Sequence, residues 1–150
     1  MEIRILSSDD VRKALPMKET ISGMKRAFSR LSSGHVEMPL RSHVKVTKQD
    51  GVLLTMPAAL PEDEELAVKL VTVFDKNPSR GLPLIHAVVI ALDIKNGRIK
   101  ALMDGEVLTT IRTGAAVGAA TDILALKDAS IVGIIGSSKL AQSQLEAVCT

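Results

Sequence analysis

Three basic side chains occur where the surrounding sequence is apolar. Lys69 interrupts an apolar strand pattern, and Arg41 follows a short apolar run. Arg112 is the only charged residue between Glu106 and Asp122 in a long helical pattern. A cation among apolar neighbours loses hydration and needs an anionic partner. A ligand carboxylate can be that partner, because Arg offers a planar two-point fork and Lys a point charge. Edge-strand protection by Lys69 and structural ion pairs of the arginines stay open as alternatives.

A strand–turn–helix pattern near the end of the sequence is the second candidate site. Residues 131–135 (IVGII) predict a buried parallel strand, and a helix is expected to begin after the turn at residues 136–141. Such a turn directs backbone N–H groups and the positive helix end at one point, which suits a phosphate. The dinucleotide fingerprint is matched at Gly136 and Ala141, whereas Ser138 replaces its middle glycine and would crowd a pyrophosphate. An ordinary strand-to-helix turn is the alternative.

The sequence shows no pattern typical of a metal site or of a catalytic nucleophile. His35, His43 and His86 share no ligand-like spacing with one another or with Cys149, so no metal site is predicted. No serine lies in a G-x-S-x-G setting, which argues against a nucleophile elbow. Cys149 is expected to be a buried helix residue rather than a nucleophile.

Two helices are predicted in the first third of the sequence. Ser7 begins a capping-box-like start of a short helix that should end before Pro16. A second helix follows, with Gly34 as its C-terminal stop. Its apolar stripe recurs at spacings of three and four and is expected to face the core. The stripe consists of Met17, Ile21, Met24, Phe28 and Leu31.

A mainly antiparallel sheet is predicted next, because the apolar period changes to two. Strands are expected at residues 40–46, 52–56, 66–74, 84–93 and 98–103, with a loop bracketed by Pro57 and Pro61. A long helix should then span residues 106–126. Gly114 and Gly118 within it cost roughly 1 kcal/mol each, so another backbone or a ligand is expected to come close there. The fold class is α+β.

Composition excludes several classes of protein. The 150 residues are 46% hydrophobic and 1% aromatic, with a net charge of +2, which favours neither disorder nor nucleic-acid binding. No apolar run is long enough for a transmembrane helix, and the first residues do not resemble a signal peptide. The single cysteine excludes an internal disulfide and fits a reducing compartment. These features predict a cytoplasmic protein that binds neither nucleic acid nor membranes.

Taken together, ordered motifs along almost the whole sequence resemble the N-terminal half of the ornithine cyclodeaminase/mu-crystallin family, which includes archaeal alanine dehydrogenases. Each motif is weak alone, and their order and spacing make the resemblance specific. The motifs are MPLR at 38–41, GVLLTMPA at 51–58, VKLV at 68–71, NPSRGLP at 77–83, ALMDG at 101–105, LTTIRTGAA at 108–116, IIG at 134–136 and QLEA at 144–147.

The resemblance implies an α+β N-terminal dimerisation and substrate domain at residues 1–128, followed at 129–150 by the start of an α/β Rossmann domain. It also implies a homodimer, NAD or NADP as cofactor, and hydride transfer to or from a small amino acid or cyclic imine. By resemblance, Arg41, Lys69 and Arg112 bind the substrate carboxylate. The residues implied near the cofactor are Arg112, Thr113, Gly136, Ser137, Ser138, Lys139, Leu140 and Ala141.

Departures from the family pattern refine this expectation. Leu54 stands where ornithine cyclodeaminases carry a glutamate, which favours an alanine dehydrogenase or imine reductase activity. Family members are roughly twice as long, and the acid/base residue would lie beyond Thr150, so the 150-residue chain itself is expected to be inactive. A non-catalytic, crystallin-like NADPH-binding protein and a dimeric scaffold are the alternatives. Substrate identity and the choice between NAD and NADP are left open.

Overall fold

The computed structural model describes residues 2–150 and consists of one six-stranded sheet with four helices. The predicted α+β class matches this segregation of strands and helices. The strands are β1 (Arg4–Leu6), β2 (Ser42–Val46), β3 (Gly51–Leu60), β4 (Glu65–Phe74), β5 (Ile85–Asp93) and β6 (Ile99–Asp104), and the helices are α1 (Ser8–Ala14), α2 (Met17–Ser32), α3 (Gly105–Leu124) and α4 (Lys139–Val148).

The sheet is a meander with one added parallel strand. Its order is β1-β6-β5-β4-β3-β2, in which β2 to β6 pair antiparallel with their neighbours in the sequence and β1 pairs parallel with β6. Two of the tight turns are closed by Asp50 (φ 46°) and Glu64 (φ 56°), both in the left-handed region. Aspartate tolerates that region better than most residues do. The order places β4 in the interior of the sheet.

The predicted loop between Pro57 and Pro61 is wrong, because β3 continues through Pro57 to Leu60. Pairing with β2 ends at Thr55, and the next contact on that side is the bridge in which Ala59 N–H donates to the Glu37 carbonyl. Pro57 falls in the gap between them, where no partner requires a backbone N–H. A proline is tolerated in a strand at such a position.

Side-chain caps begin three of the helices. Ser7 and Asp10 form the predicted capping box of α1, and the Asp104 carboxylate accepts from Val107 N–H at 2.9 Å at the start of α3. Ser138 caps α4 by accepting from Ala141 N–H at 3.3 Å. Each cap satisfies a donor that the first turn of a helix leaves unpaired.

The helices form one layer on one face of the sheet. Helix α3 packs on β5 so closely that a Cβ on Gly105 would lie 2.7 Å from the Ala87 carbonyl carbon. The other three helices contact α3, and the core among them contains Met17, Ile111, Ala115 and Ala147. Phe28 and Leu31 do not join that core: they are 46% and 44% exposed. The predicted stripe is therefore correct only in its first half.

The opposite face of the sheet has no helix on it within residues 2–150, and its centre is aliphatic. Strand register places Val68, Leu70, Val88 and Ile90 together on this face, which we call the bare face. At its two edges, Ile5 is 78% exposed and Val44 is 58% exposed. Scattered apolar residues on a surface need no explanation, whereas a contiguous apolar face indicates an interaction site.

The buried strand predicted at residues 131–135 does not form. No regular structure is assigned between α3 and α4, and Ile131 and Ile135 are 91% and 105% exposed. A parallel strand exists only with a hydrogen-bonded neighbour, and nothing in the described part of the chain pairs with this segment. Cys149 is likewise exposed instead of buried, because it follows the last residue of α4.

Candidate functional site

Lys69 lies in the centre of the covered face. It belongs to β4, between Met56 on β3 and Val89 on β5, and its side chain is half-buried. An interior strand needs no edge protection, so that alternative is wrong. Burial lowers the pKa of the Lys69 ammonium, and the nearby Arg112 guanidinium lowers it further. Both effects disfavour the charged form of Lys69.

Arg112 approaches Lys69 from the helix layer. It lies in the second turn of α3, with its side chain exposed beside the sheet. Neither Arg112 nor Lys69 has a carboxylate within 4.0 Å in residues 2–150, although eight ion-pair contacts occur elsewhere there. Two adjacent cations without a counter-ion repel one another, so a bound carboxylate between them would relieve that repulsion.

Arg41 is exposed at the same level of the sheet. It precedes β2, whose first residue Ser42 pairs with Thr55, so the next register position lies opposite Met56. Met56 in turn faces Lys69. Two strand spacings separate Arg41 from Lys69, roughly 10 Å between backbones. The structure thus places the Arg112 charge close enough to influence Lys69, and it places Arg41 on the same row of the sheet.

The predicted phosphate turn precedes α4. Gly136 has φ +106°, which only glycine adopts without strain, and Ser138 is the N-cap. Because the Ser138 hydroxyl accepts from Ala141 N–H, that donor is already paired. The backbone N–H groups of Lys139 and Leu140 are the remaining first-turn donors and could hold one phosphate oxygen. The turn and the helix agree with the prediction, whereas the strand before them does not.

Some of the other residues implied near the cofactor already make contacts within the protein, which limits how they could contact a ligand. Thr113 donates its hydroxyl to the Thr109 carbonyl at 2.6 Å, so it can only accept from a ligand. Lys139 lies 3.8 Å from the Glu106 carboxylate on α3 and is otherwise exposed. Ser137 is exposed in the turn.

Sequence reasoning missed Ser143 and Glu106, which join α4 to α3. Ser143 is 7% exposed and donates its hydroxyl to the Thr110 carbonyl at 3.1 Å. A signal was available: Gly114 and Gly118 are four residues apart, as are Ser143 and Ala147, and small residues at that spacing permit close helix packing. The close approach predicted at the two glycines is confirmed, and the partner is the backbone of α4.

A cleft elsewhere on the surface carries no such chemistry. It has a volume of about 570 Å³ and lies where β1 and β6 begin. Arg4, Arg98 and Lys100 line it together with Glu2 and Asp93, so neither charge sign dominates. In the part of the chain that the structure describes, no group of three or more His, Cys, Asp and Glu side chains could hold a metal ion. No helix there is long and apolar enough to cross a membrane.

The fold is a mixed sheet with one helix layer, and a glycine turn precedes a further helix. Lys69 and Arg112 lie between sheet and helices without an ion-pair partner among residues 2–150. The family model described as Ornithine cyclodeaminase/mu-crystallin family matches residues 1–150. The chain belongs to this family.

Relatives of known activity match nearly all of the chain. Delta(1)-pyrroline-2-carboxylate reductase of Bacillus cereus is 33% identical over 144 residues, which are 96% of this chain and 44% of the relative. Alanine dehydrogenase of Archaeoglobus fulgidus is 36% identical over 148 residues, 99% of this chain and 45% of the relative. The chain therefore spans less than half the length of the curated relatives it matches.

A solved structure agrees with the fold. The Delta(1)-pyrroline-2-carboxylate reductase of Thermococcus litoralis, in complex with NADH and L-proline, superposes with a TM-score of 0.88 at 44% identity. The match covers 98% of this chain and 46% of that one.

Proposed function

We propose that the complete protein is an NAD(P)-dependent oxidoreductase of small amino acids or cyclic imines, of the alanine dehydrogenase or imine reductase type. The observation that carries this is the pair Lys69 and Arg112, two adjacent cations without a carboxylate partner in residues 2–150. A substrate carboxylate would supply the missing anion. The pyrroline-2-carboxylate reductases and alanine dehydrogenase among the relatives support this reading.

The surroundings of Lys69 favour a substrate with a small apolar body. Register places Leu54 and Val71 beside Met56 and Lys69 on the covered face, so the neighbouring wall is aliphatic. A second ammonium, as in ornithine, would meet no carboxylate on these strand positions. Arg41 is the third proposed carboxylate ligand. Fixing the carboxylate holds the α-carbon in place and leaves the amine or imine end free to react.

The cofactor is proposed to lie against the start of α4 and the exposed side of α3. The backbone N–H groups of Lys139 and Leu140 would hold a phosphate oxygen, and Gly136 lets the chain turn close to it. The solved Thermococcus reductase holds NADH, and a solved archaeal alanine dehydrogenase dimer binds NAD. When bound, the cofactor would supply hydride-transfer chemistry at the substrate α-carbon. The remaining proposed contacts are Arg112, Thr113, Ser137, Ser138 and Ala141.

A homodimer is proposed to form through the bare face. Val68, Leu70, Val88 and Ile90 would otherwise remain in contact with water, which an obligate interface removes. The archaeal alanine dehydrogenase dimer supports this assembly. On this proposal residues 1–128 are the dimerisation and substrate domain, and residues 129–150 begin the cofactor domain.

The alternative is a non-catalytic, crystallin-like NADPH-binding or scaffold protein. One observation favours it: the Ser138 hydroxyl occupies a helix N-terminal donor that a pyrophosphate would otherwise use. Tight NADPH binding by the complete protein, without NADPH oxidation by any imino acid, would support this alternative.

The test is an NAD(P)H oxidation assay on the complete protein with Δ1-pyrroline-2-carboxylate and with pyruvate plus ammonia. We expect Arg112→Ala to lower kcat/KM roughly 10- to 100-fold, the loss of one hydrogen bond to a charged group. Arg26→Ala, an exposed arginine on α2, is the matched control and should change nothing. Δ1-pyrroline, which lacks the carboxylate, should be reduced equally slowly by wild type and Arg112→Ala. An equal loss with both substrates would contradict carboxylate binding by Arg112.

A further inference from the structure

Helices α3 and α4 run parallel with their backbones in contact. A Cβ on Gly114 would lie 2.5 Å from the Ser143 carbonyl oxygen, and one on Gly118 would lie 2.9 Å from the Ala147 carbonyl oxygen. Both contacts join positions that are four residues apart on each helix. The helices therefore pack in register, and any larger residue at Gly114 must push the backbone of α4 away.

Polar contacts fix α4 along the same line. Ser143 is nearly buried and donates its hydroxyl to the Thr110 carbonyl at 3.1 Å, one of the few side-chain bonds between the two helices. One turn nearer the start of α4, Lys139 lies 3.8 Å from Glu106. The packing prevents α4 from tilting, and the Ser143 hydrogen bond opposes sliding along α3.

Helix α3 also carries Arg112 on its opposite side. Gly114 is two residues further along, which is about 200° around the helix axis. One short helical segment thus contacts the carboxylate site through one side and α4 through the other. The distance between the α3 and α4 backbones at this contact therefore sets where the turn before α4 lies relative to Arg112.

We propose that Gly114 and Ser143 are positioning residues, which set the distance between the substrate carboxylate and the cofactor. This inference rests on the proposed function, because it assigns the Arg112 side to the substrate and the start of α4 to the cofactor. Neither residue touches the carboxylate site. Their role is to hold two binding elements at the separation that hydride transfer requires, and a misplacement of 1 Å costs on the order of 100-fold in rate.

The test measures the complete protein with saturating NADH and imino acid, using two variants of different severity. Gly114→Ala should lower kcat on the order of 100-fold, and Ser143→Ala, which removes only the hydroxyl, should lower it less. Rates are expressed per NADH-binding site, so that unfolded molecules do not count. The KM for each substrate should change little, and the isotope effect with 4-deuterated NADH should rise as hydride transfer becomes rate-limiting.

Matched controls lie on α2. Gly23→Ala changes a helical glycine whose nearest neighbour is a flexible Arg26 side chain, and Ser22→Ala removes an exposed hydroxyl that bonds within its own helix. Both should retain the wild-type kcat and isotope effect. If Ser143→Ala keeps the wild-type values per NADH site, the inference is overturned and the proposed function stands. If wild type neither binds NADH nor reduces an imino acid, both are overturned.

Discussion

Lys69 and Leu70 are adjacent in β4 and belong to opposite faces of the sheet, and each has the wrong polarity for its side. The cation lies on the face that the helices cover, while the aliphatic residue lies on the bare face. Packing alone would choose the reverse arrangement, because burying a charge costs free energy and exposing aliphatic area gains none. The difference is what the proposed function explains: a substrate carboxylate would pair with the cation on the covered face, and a second copy of the chain would cover the bare face.

The largest effect is expected when a charge is placed on each face of the sheet in turn. Val89, which is 8% exposed, faces the helix layer beside Lys69. Val89→Lys should destabilise the fold by about 3–5 kcal/mol, because it buries a charge with no partner. Chemical unfolding of the complete protein measures the loss. The neighbouring Val88→Lys is its control, and an equal loss from both would show that the faces do not differ in burial.

Val88→Lys should instead weaken the association of two subunits into the proposed homodimer. In a symmetric dimer through the bare face, two new lysines would face the same interface, and like charges there cost several kcal/mol. We expect a monomer with wild-type secondary structure, measured by sedimentation and circular dichroism. Ala14→Lys adds the same charge on exposed α1 and should leave the dimer intact. A Val88→Lys protein that remains dimeric would exclude this face as the interface.

Lys69→Met separates binding from stability on the covered face. We expect imino-acid affinity to fall roughly 10- to 100-fold, since a charged hydrogen-bond donor is lost, while stability at neutral pH is unchanged or higher. Lys45→Met, an exposed lysine on β2, is the control. Titration with a substrate analogue and denaturant unfolding give the two values. A stability loss without an affinity loss would make Lys69 a structural residue.

The pH dependence of the same variant gives an independent check. Burial and Arg112 lower the pKa of Lys69 in the folded protein from its ordinary 10.5, so the unfolded chain binds the extra proton between the two values. Wild-type stability should therefore rise with pH across that alkaline window. Lys69→Met should lose this rise, whereas Lys45→Met should keep it.

Local chemistry made the helix starts, the antiparallel strands and the two close-approach glycines predictable from sequence. The errors in the predicted strands arose where the presence or absence of a neighbouring strand decides whether a segment forms one. Residues 131–135 have strand-forming residues but no partner strand among residues 2–150, and Pro57 is tolerated only because its side of β3 is unpaired. The juxtaposition of Lys69 and Arg112 could not come from spacing, because it depends on the sheet order and on where α3 crosses it. Lys69 and Arg112 were each identifiable as a charge among apolar residues, whereas their proximity was not.

The smallest effect is expected at the outer edge of the helix layer, where a side-chain cap begins α1. Ser7→Ala should cost about 1 kcal/mol by removing the N-cap. The Ser7 hydroxyl and backbone N–H both donate to the Asp10 carboxylate and lower its pKa below 3.8. That contribution is present above pH 4 and is lost as the pH falls through the lowered pKa, so Ser7→Ala should flatten the acid side of the stability profile. Ser29→Ala, far from α1, should preserve the acid profile. An unchanged profile in Ser7→Ala would mean that packing of the buried Val11 alone holds α1 on the layer.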